Sequence, residues 1–324
     1  MTRHSSGWQW MALLAAAIAP VANVDAQGAP GRPIRLIVTS APGGPADVQG
    51  RLMVPKMSEV LGSPVVVDNR PSSNGVVGME IAARAAPDGL TLVIGNSGTV
   101  AINATLYRSL SYDPERDFTA ITQMSTSGMI VAGHPRIPGT TIHDLAAHAK
   151  TRKGGLNVAI PGSTGQAAGD ALWKLLGIEM TNVNYKGSAP SERAVVAGEA
   201  DVSLLTPLAS AVHLRNGQMK AFGITSAQRS PVLPDVPALA EQGLSSYDIQ
   251  FWSGLLAPAG MPAATVSRVH KAAVQALQSP EVGERFRQFG LVVVGNAPAE
   301  FSRIVQRDIA SFRRIIIESG MPLL

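Results

Sequence analysis

Two glycine-rich segments, Ala41-Pro42-Gly43-Gly44 and Gly162-Ser163-Thr164-Gly165, each follow a short apolar run and open a stretch with helical spacing. Glycine lets backbone approach a ligand closely. The free N–H groups of a first helical turn carry roughly half a positive charge, which suits a carboxylate or a phosphate. Asp47, just inside the first helical stretch, is expected either to tie the loop's own N–H groups together or to accept a hydrogen bond from the ligand. A third loop, Gly95-Asn96-Ser97-Gly98-Thr99, offers an amide and hydroxyls for a polar group, or a capped turn. One Gly-Gly pair is most simply a strand-to-helix turn; two such loops in different halves could grip the two ends of one small anion.

Signatures of catalysis are missing. The sequence has no G-x-S-x-G elbow, no P-loop and no G-x-G-x-x-G fingerprint, so no nucleotide cofactor is expected. His143 and His148 are five apart and fall on different helix faces, which argues against a zinc pair, and no metal is expected. Asp113 and Asp117 flank Pro114 in SYDPERDF and read as a structural turn rather than a catalytic carboxylate pair. Cysteine is absent, which excludes disulfides, thiol chemistry and a lipid anchor on cysteine. The net charge of +4 is spread without a lysine/arginine run, so nucleic acid is not an expected partner.

The elements that must position these loops alternate. Strand-like runs stand at 34–39, 65–69, 91–95, 129–133, 156–160, 182–185, 201–205 and 220–225, with helical patterns between several of them. Such alternation predicts a parallel sheet covered on both faces, with ligands bound beyond the carboxyl ends of the strands. After FWSGLLAPAGMP (251–262) the pattern turns mostly helical, at about 264–278, 281–289 and 298–318, with one more strand at 291–295. The reading is two α/β lobes with a cleft between them, lobe 1 over 27–128 and 252–324 and lobe 2 over 129–251, the chain crossing near 125–130 and 245–255. Residues 1–26 read as an export signal, with Arg3 and His4 before the apolar stretch 11–19 and Val24-Asp25-Ala26 as a cleavage site. A soluble periplasmic protein, a monomer by default, is therefore expected.

Taken in order, several stretches carry a resemblance: RPIRLIVTSAPGGPAD (32–47), VVVDNRPSSNGVVG (65–78), PDGLTLVIGNSGT (87–99), LYRSLSYDPERDF (106–118), GSTG (162–165), NYKGSAP (184–190), GEAD (198–201), ITSAQRSPVLPDVPALAEQG (224–243) and FWSGLLAPAGMP (251–262). With them the chain resembles the Bug family, TctC-like periplasmic substrate-binding proteins of tripartite tricarboxylate transporters. The resemblance implies a type II periplasmic binding fold that closes over a small carboxylic acid without changing it, and so no enzyme. It carries binding roles to Ala41, Pro42, Gly43, Gly44 and Asp47, to Gly162, Ser163, Thr164 and Gly165, and to Asn96, Ser97 and Thr99. Thr206 is added from its place after the strand ending at Leu205. The sequence departs from the family at Ala167 and Ala171, where a glycine and a histidine are usual, and at Ser72-Ser73 and Ala238. The implied function is capture of a small carboxylate and delivery to the permease subunits of a tripartite transporter. The alternatives are a ligand-sensing partner of a membrane sensor kinase and, further off, a secreted α/β hydrolase.

Overall fold

The computed structural model describes residues 31–185 and 187–324. The export signal expected over residues 1–26 lies outside the described residues.

Two sheets organise the chain. β1 (Ile34–Val38) leads through α1 (Pro45–Leu61) to β2 (Val65–Asn69), and α2 (Val76–Ala83) leads on to β3 (Thr91–Asn96). A π-helical turn (Gly98–Ile102) and the short α3 (Asn103–Leu106) then precede β4 (Phe118–Ser127). The chain passes to the second sheet as β5 (Ile130–Gly133), α4 (Ile142–Lys150), β6 (Leu156–Ile160), α5 (Ser163–Leu176), β7 (Met180–Asn184), α6 (Ser188–Ala197), β8 (Val202–Leu205), α7 (Pro207–Arg215) and β9 (Lys220–Ile224). It returns as β10 (Phe251–Pro258) and ends with α8 (Ala263–Leu277), α9 (Pro280–Gln288), β11 (Val292–Val293) and α10 (Pro298–Ser319). The first sheet runs β11-β4-β10-β3-β1-β2 and the second β7-β6-β8-β5-β9.

The strands are apolar on both faces because helices cover both. Ile34, Leu36 and Val38 of β1 point into a core shared with α1 and α8, while Ile37 between them joins the opposite core with α2 and α10. The second sheet repeats the plan: Val158 and Ile160 face α4 and α5, and Ala159 faces α6. This two-residue alternation with both faces buried is what a helix-covered sheet requires.

Neither sheet is purely parallel, which corrects the sequence expectation. β10 runs antiparallel to both β3 and β4, and β5 runs antiparallel to both β8 and β9. Both are the first strand after a crossing, so each enters its new sheet from the far side and runs against its neighbours. The long strands β4 and β10 are not among the sequence-predicted runs. β4 reads FTAITQMSTS, and its buried Thr122, Gln123 and Ser125 hide a strand pattern that valine or isoleucine would have declared. Those polar groups are satisfied internally, with the Ser125 hydroxyl 2.9 Å from that of Ser253 and donating to Gln49 Oε1 at 3.0 Å.

Thr225 fastens the crossing segments to one another. Its buried hydroxyl accepts from Met129 N (2.8 Å) and donates to Ile249 O (2.7 Å). Its own backbone N donates to Met129 O (2.9 Å), and its C=O accepts from Ile249 N (3.1 Å). Thr225→Val keeps the shape but strands one donor and one acceptor, so a loss of about 3 kcal/mol is expected as a lower urea midpoint at unchanged slope.

Candidate functional site

A cavity of about 250 Å³ opens where loops of the first sheet face the N-terminus of α5 in the second. One wall has three parts: Thr39, Ser40, Pro45 and Ala46 from the turn after β1 into the first turn of α1, Ser72, Asn74 and Gly75 before α2, and Asn96, Gly98 and Thr99 from the end of β3 into the turn that follows. Ser163 and Thr164 form the opposite wall. Every one of these segments leaves the carboxyl end of a strand and enters helical backbone, the arrangement that collects N–H donors at one place.

On the α1 side, Pro45 has no N–H to offer. Asp47 N donates to Ser40 Oγ (3.3 Å) and Val48 N to Gly44 O (3.0 Å), which leaves Ala46 N–H as the unspent donor of the first turn. The loop Ala41–Gly44 is held from beneath. Asp47 Oδ2 accepts from Gly43 N (2.8 Å), and Oδ1 accepts from Asn69 Nδ2 (2.9 Å) and from Arg51 Nε (2.9 Å). Gly43 sits at φ +79°, and a Cβ on Gly44 would come within 2.9 Å of Ser40 Cβ, so both glycines are dictated by the turn. Asp47 is 2% exposed and does not line the cavity; of the two roles open to it from sequence, it takes the first.

Asn74 (φ 50°) and Gly75 (φ 68°) are successive left-handed residues that turn the chain into α2. A Cβ at Gly75 would meet Thr99 Cγ2 at 2.7 Å, so the two loops of this wall interlock only with glycine there. Ser72 Oγ accepts from Val77 N (3.0 Å) and Asn74 Nδ2 donates to Tyr107 Oη (3.1 Å). In the third loop Asn96 N donates to Thr99 Oγ1 (2.9 Å) and Thr99 N donates to Asn96 Oδ1 (2.9 Å), a reciprocal lock that leaves Asn96 Nδ2 free. Ser97, by contrast, is buried and its hydroxyl accepts from Trp252 N (2.9 Å), tying the loop to β10.

The α5 wall is simpler. Gly162 precedes the helix without a side-chain cap, and Gln166 N donates to Gly162 O (3.1 Å). The N–H groups of Ser163, Thr164 and Gly165 keep no partner among the described residues.

Of the residues singled out from sequence, Asn96, Thr99, Ser163 and Thr164 line the cavity. Ala41, Pro42, Gly43, Gly44, Gly162 and Gly165 shape its two turns without lining it, and Ser97 and Asp47 brace it from within the fold. Thr206 lies elsewhere: its hydroxyl caps α7 by accepting from Ala209 N (3.4 Å). Sequence reasoning passed over Ser40, Asn74 and Gly75, and it gave no binding role to Gly98, though it stands inside the third loop, or to Ser72, named only as a departure from the family. The signal available was SSNG at 72–75, a small polar-glycine run between a strand and a helix. The departures at Ala167 and Ala171 are also located. Ala167 is fully buried in the core that contains Trp252 and Phe301, and Ala171 lines a groove between α5 and α10. Neither lines the cavity.

Nothing in the cavity supplies a nucleophile with a base, and no cluster of metal-ligating side chains exists among the described residues. Asp117 Oδ2 accepts from Asp113 N (2.6 Å), so that pair closes a turn. Grooves of about 500 and 540 Å³ along α10 are larger, but their walls mix Arg307, Arg314 and Lys174 with Asp248, Asp308 and Glu318, and no helix N-terminus opens into them. The arrangement in the smaller cavity can hold an anion by neutral donors.

Comparisons with known proteins identify the family. The family described as tripartite tricarboxylate transporter family receptor matches residues 50–321. A UPF0065 protein from the tcbD-tcbE intergenic region of a Pseudomonas species is 32% identical over 294 residues, covering 89% of this chain and 87% of that protein. Among solved structures, MatC of Rhodopseudomonas palustris with bound malate is 31% identical, with a TM-score of 0.76 over 89% of this chain and 99% of its own. A second R. palustris protein, solved with adipate, is 29% identical, with a TM-score of 0.81 over 92% of this chain and 100% of its own. No helix among the described residues is long and apolar enough to cross a membrane. Both the sequence match, which spans most of the chain, and the two-sheet architecture place this protein in the tripartite tricarboxylate transporter receptor family, the TctC/Bug type of periplasmic binding protein.

Proposed function

We propose that the protein captures a small organic acid in the cleft between its two sheets and delivers it to the membrane permease of a tripartite transporter. The observation that carries the reading is the meeting, across one 250 Å³ cavity, of the uncapped α5 N-terminus and the donors gathered at the α1 and β3 loops. Each N-terminus contributes a fixed positive field, and hydrogen bonds to a charged acceptor stabilise by about 1.5–3 kcal/mol each. Neutral donors also let the ligand go again when the lobes part. On this reading lobe 1 comprises 27–128 and 252–324 and lobe 2 comprises 129–251, and they open and close about the crossings tied at Thr225. The malate and adipate bound in the two R. palustris relatives support a carboxylate as ligand.

A thermal-unfolding screen of mono-, di- and tricarboxylates tests this. A true ligand at 100 times its dissociation constant adds about 2.7 kcal/mol to native stability, visible as a raised midpoint. No midpoint shift with any acid, under conditions where the protein is folded, would remove the proposal. Delivery is checked separately by reconstituting transport with the permease subunits; binding without transport would favour a sensory role.

A further inference from the structure

Resting on the carboxylate reading above, we infer that Tyr112 and Asn103 are positioning residues: a hydrogen-bond relay inside the fold sets the separation of two cavity-lining loops and, through it, the affinity for the acid.

The loop before α2 and the loop after β3 stand in contact at the cavity, since a Cβ on Gly75 would meet Thr99 Cγ2 at 2.7 Å. Each loop also brings one backbone carbonyl to the interior, and a single relay takes both. The Tyr112 hydroxyl donates to Thr99 O. Asn103 Nδ2 donates to the Tyr112 oxygen (3.1 Å) and to Asn74 O (2.9 Å). Both hydrogens of that amide nitrogen are then spent, and because the phenol oxygen accepts from Asn103, its own proton is directed at Thr99 O. Asn103 and Tyr112 are 0% and 4% exposed, and neither lines the cavity.

Asn74 is what the relay has to hold. It stands at φ 50° without being glycine, a conformation that persists only where neighbours fix it. Asn103 fixes its carbonyl, and Tyr107 Oη accepts from its Nδ2 (3.1 Å). Tyr112 is fixed in turn. Its ring meets that of Phe118 edge-on, with centroids 5.8 Å apart, and the residue after it opens the turn in which Asp117 N donates to Asp113 O (2.9 Å). The stretch SYDPERDF therefore does more than turn the chain: it anchors the phenol that spaces the loops. Burial pushes this phenol up to about 12, so it stays a donor at neutral and mildly alkaline pH. Without its oxygen, Thr99 O and one Asn103 hydrogen are left unpaired in a buried place, and the loops must shift to satisfy them.

Tyr112→Phe keeps the ring and removes the centre of the relay. Calorimetry on the folded protein measures its affinity for whichever acid raises the wild-type midpoint most in the screen above. Binding is expected to weaken about tenfold, the worth of one hydrogen bond's alignment. Val195→Ala is the comparison. It opens the core around α6, away from the cleft, so it should lower stability while keeping affinity within about twofold of wild type. Asn103→Ala removes the other half of the relay, and the double variant should bind about as weakly as the weaker single one, because both changes remove one device. Should Asn103→Ala not fold, Tyr112→Phe beside Val195→Ala decides alone. Wild-type affinity in Tyr112→Phe, an equal loss in Val195→Ala, or losses that multiply in the double variant would each overturn the inference and leave the carboxylate reading standing. Failure of every acid to bind the wild type would remove both.

Discussion

Gly98→Leu should lower affinity for the carboxylate ligand at least a hundredfold while leaving the protein folded. A Cβ placed on Gly98 would lie 3.0 Å from Asn96 Oδ1 on its own loop and 3.3 Å from Thr164 Oγ1 on the facing helix. The residue therefore stands where the first sheet's loops come up against α5, and the four added carbons of leucine would fill the cavity that it lines. Closure would require either an off-rotamer side chain or parted lobes, and a crowded site typically costs 1–3 kcal/mol before any ligand contact is lost. The added loss of α5's N–H donors from the anion brings the total past two decades. The backbone at this glycine is not left-handed, so leucine does not strain the turn and the melting midpoint without ligand should move little. Calorimetry reads the affinity, and small-angle scattering with saturating ligand reads whether the variant stays open. Wild-type affinity in Gly98→Leu would mean that the lobes do not close on the ligand at this point.

Asp47→Ala is expected to destabilise the protein by about 3 kcal/mol and also to abolish ligand binding. The carboxylate accepts from Gly43 N, Asn69 Nδ2 and Arg51 Nε, and each such bond to a charged group is worth about 1.5 kcal/mol or more in a site this buried. Arg51 is largely solvent-exposed, so its share is discounted and the total stays well short of the simple sum. Without the carboxylate Gly43 N loses its partner, and the turn closed by Gly44 N on Ala41 O is too weakly held to present the α1 N-terminus. Asp47→Asn, which restores the shape but not the charge, should recover part of the stability. Denaturant unfolding measures both variants, and midpoints equal to the wild type would show that the loop is held by something else.

The same carboxylate sets a pH dependence. Burial pushes its pKa up, but the hydrogen bonds from Arg51, Gly43 N and Asn69, with the Arg51 charge, outweigh that and hold it below the usual aspartate value of 3.8. A carboxyl whose folded pKa is depressed stabilises the native state fully above its unfolded pKa and loses that contribution as pH falls through the folded one. The wild type should therefore lose stability more steeply than Asp47→Asn on acidification below about pH 4.

Part of this was legible without coordinates. The glycine pairs at 43–44 and at 162 and 165 mark the two principal turns because only glycine tolerates φ +79° or leaves backbone so open, and that requirement is local. The runs IRLIV, TLVIGN and LNVAI announce strands covered on both faces, because a buried strand must be apolar along its whole length. β4 and β10 were not legible, because their buried serines, threonines and glutamine satisfy one another across three segments that lie far apart in sequence. The site divides in the same way. Asn96 and Ser97 are neighbours with similar chemistry, yet one lines the cavity and the other is pinned to Trp252 N on a strand 155 positions away. Asp47 could have faced the ligand or the loop until Asn69 and Arg51 were seen to take its remaining oxygen.

By itself, then, the sequence determined the alternation of elements, the glycine turns and the neutral, donor-rich character of the loops, since each follows from steric and hydrogen-bonding rules acting over a few residues. Tertiary structure alone decided which of those polar groups face the cavity, which way β5 and β10 run, and where Ala167 and Thr206 lie. Those outcomes depend on partners brought together by packing between segments that no local rule connects.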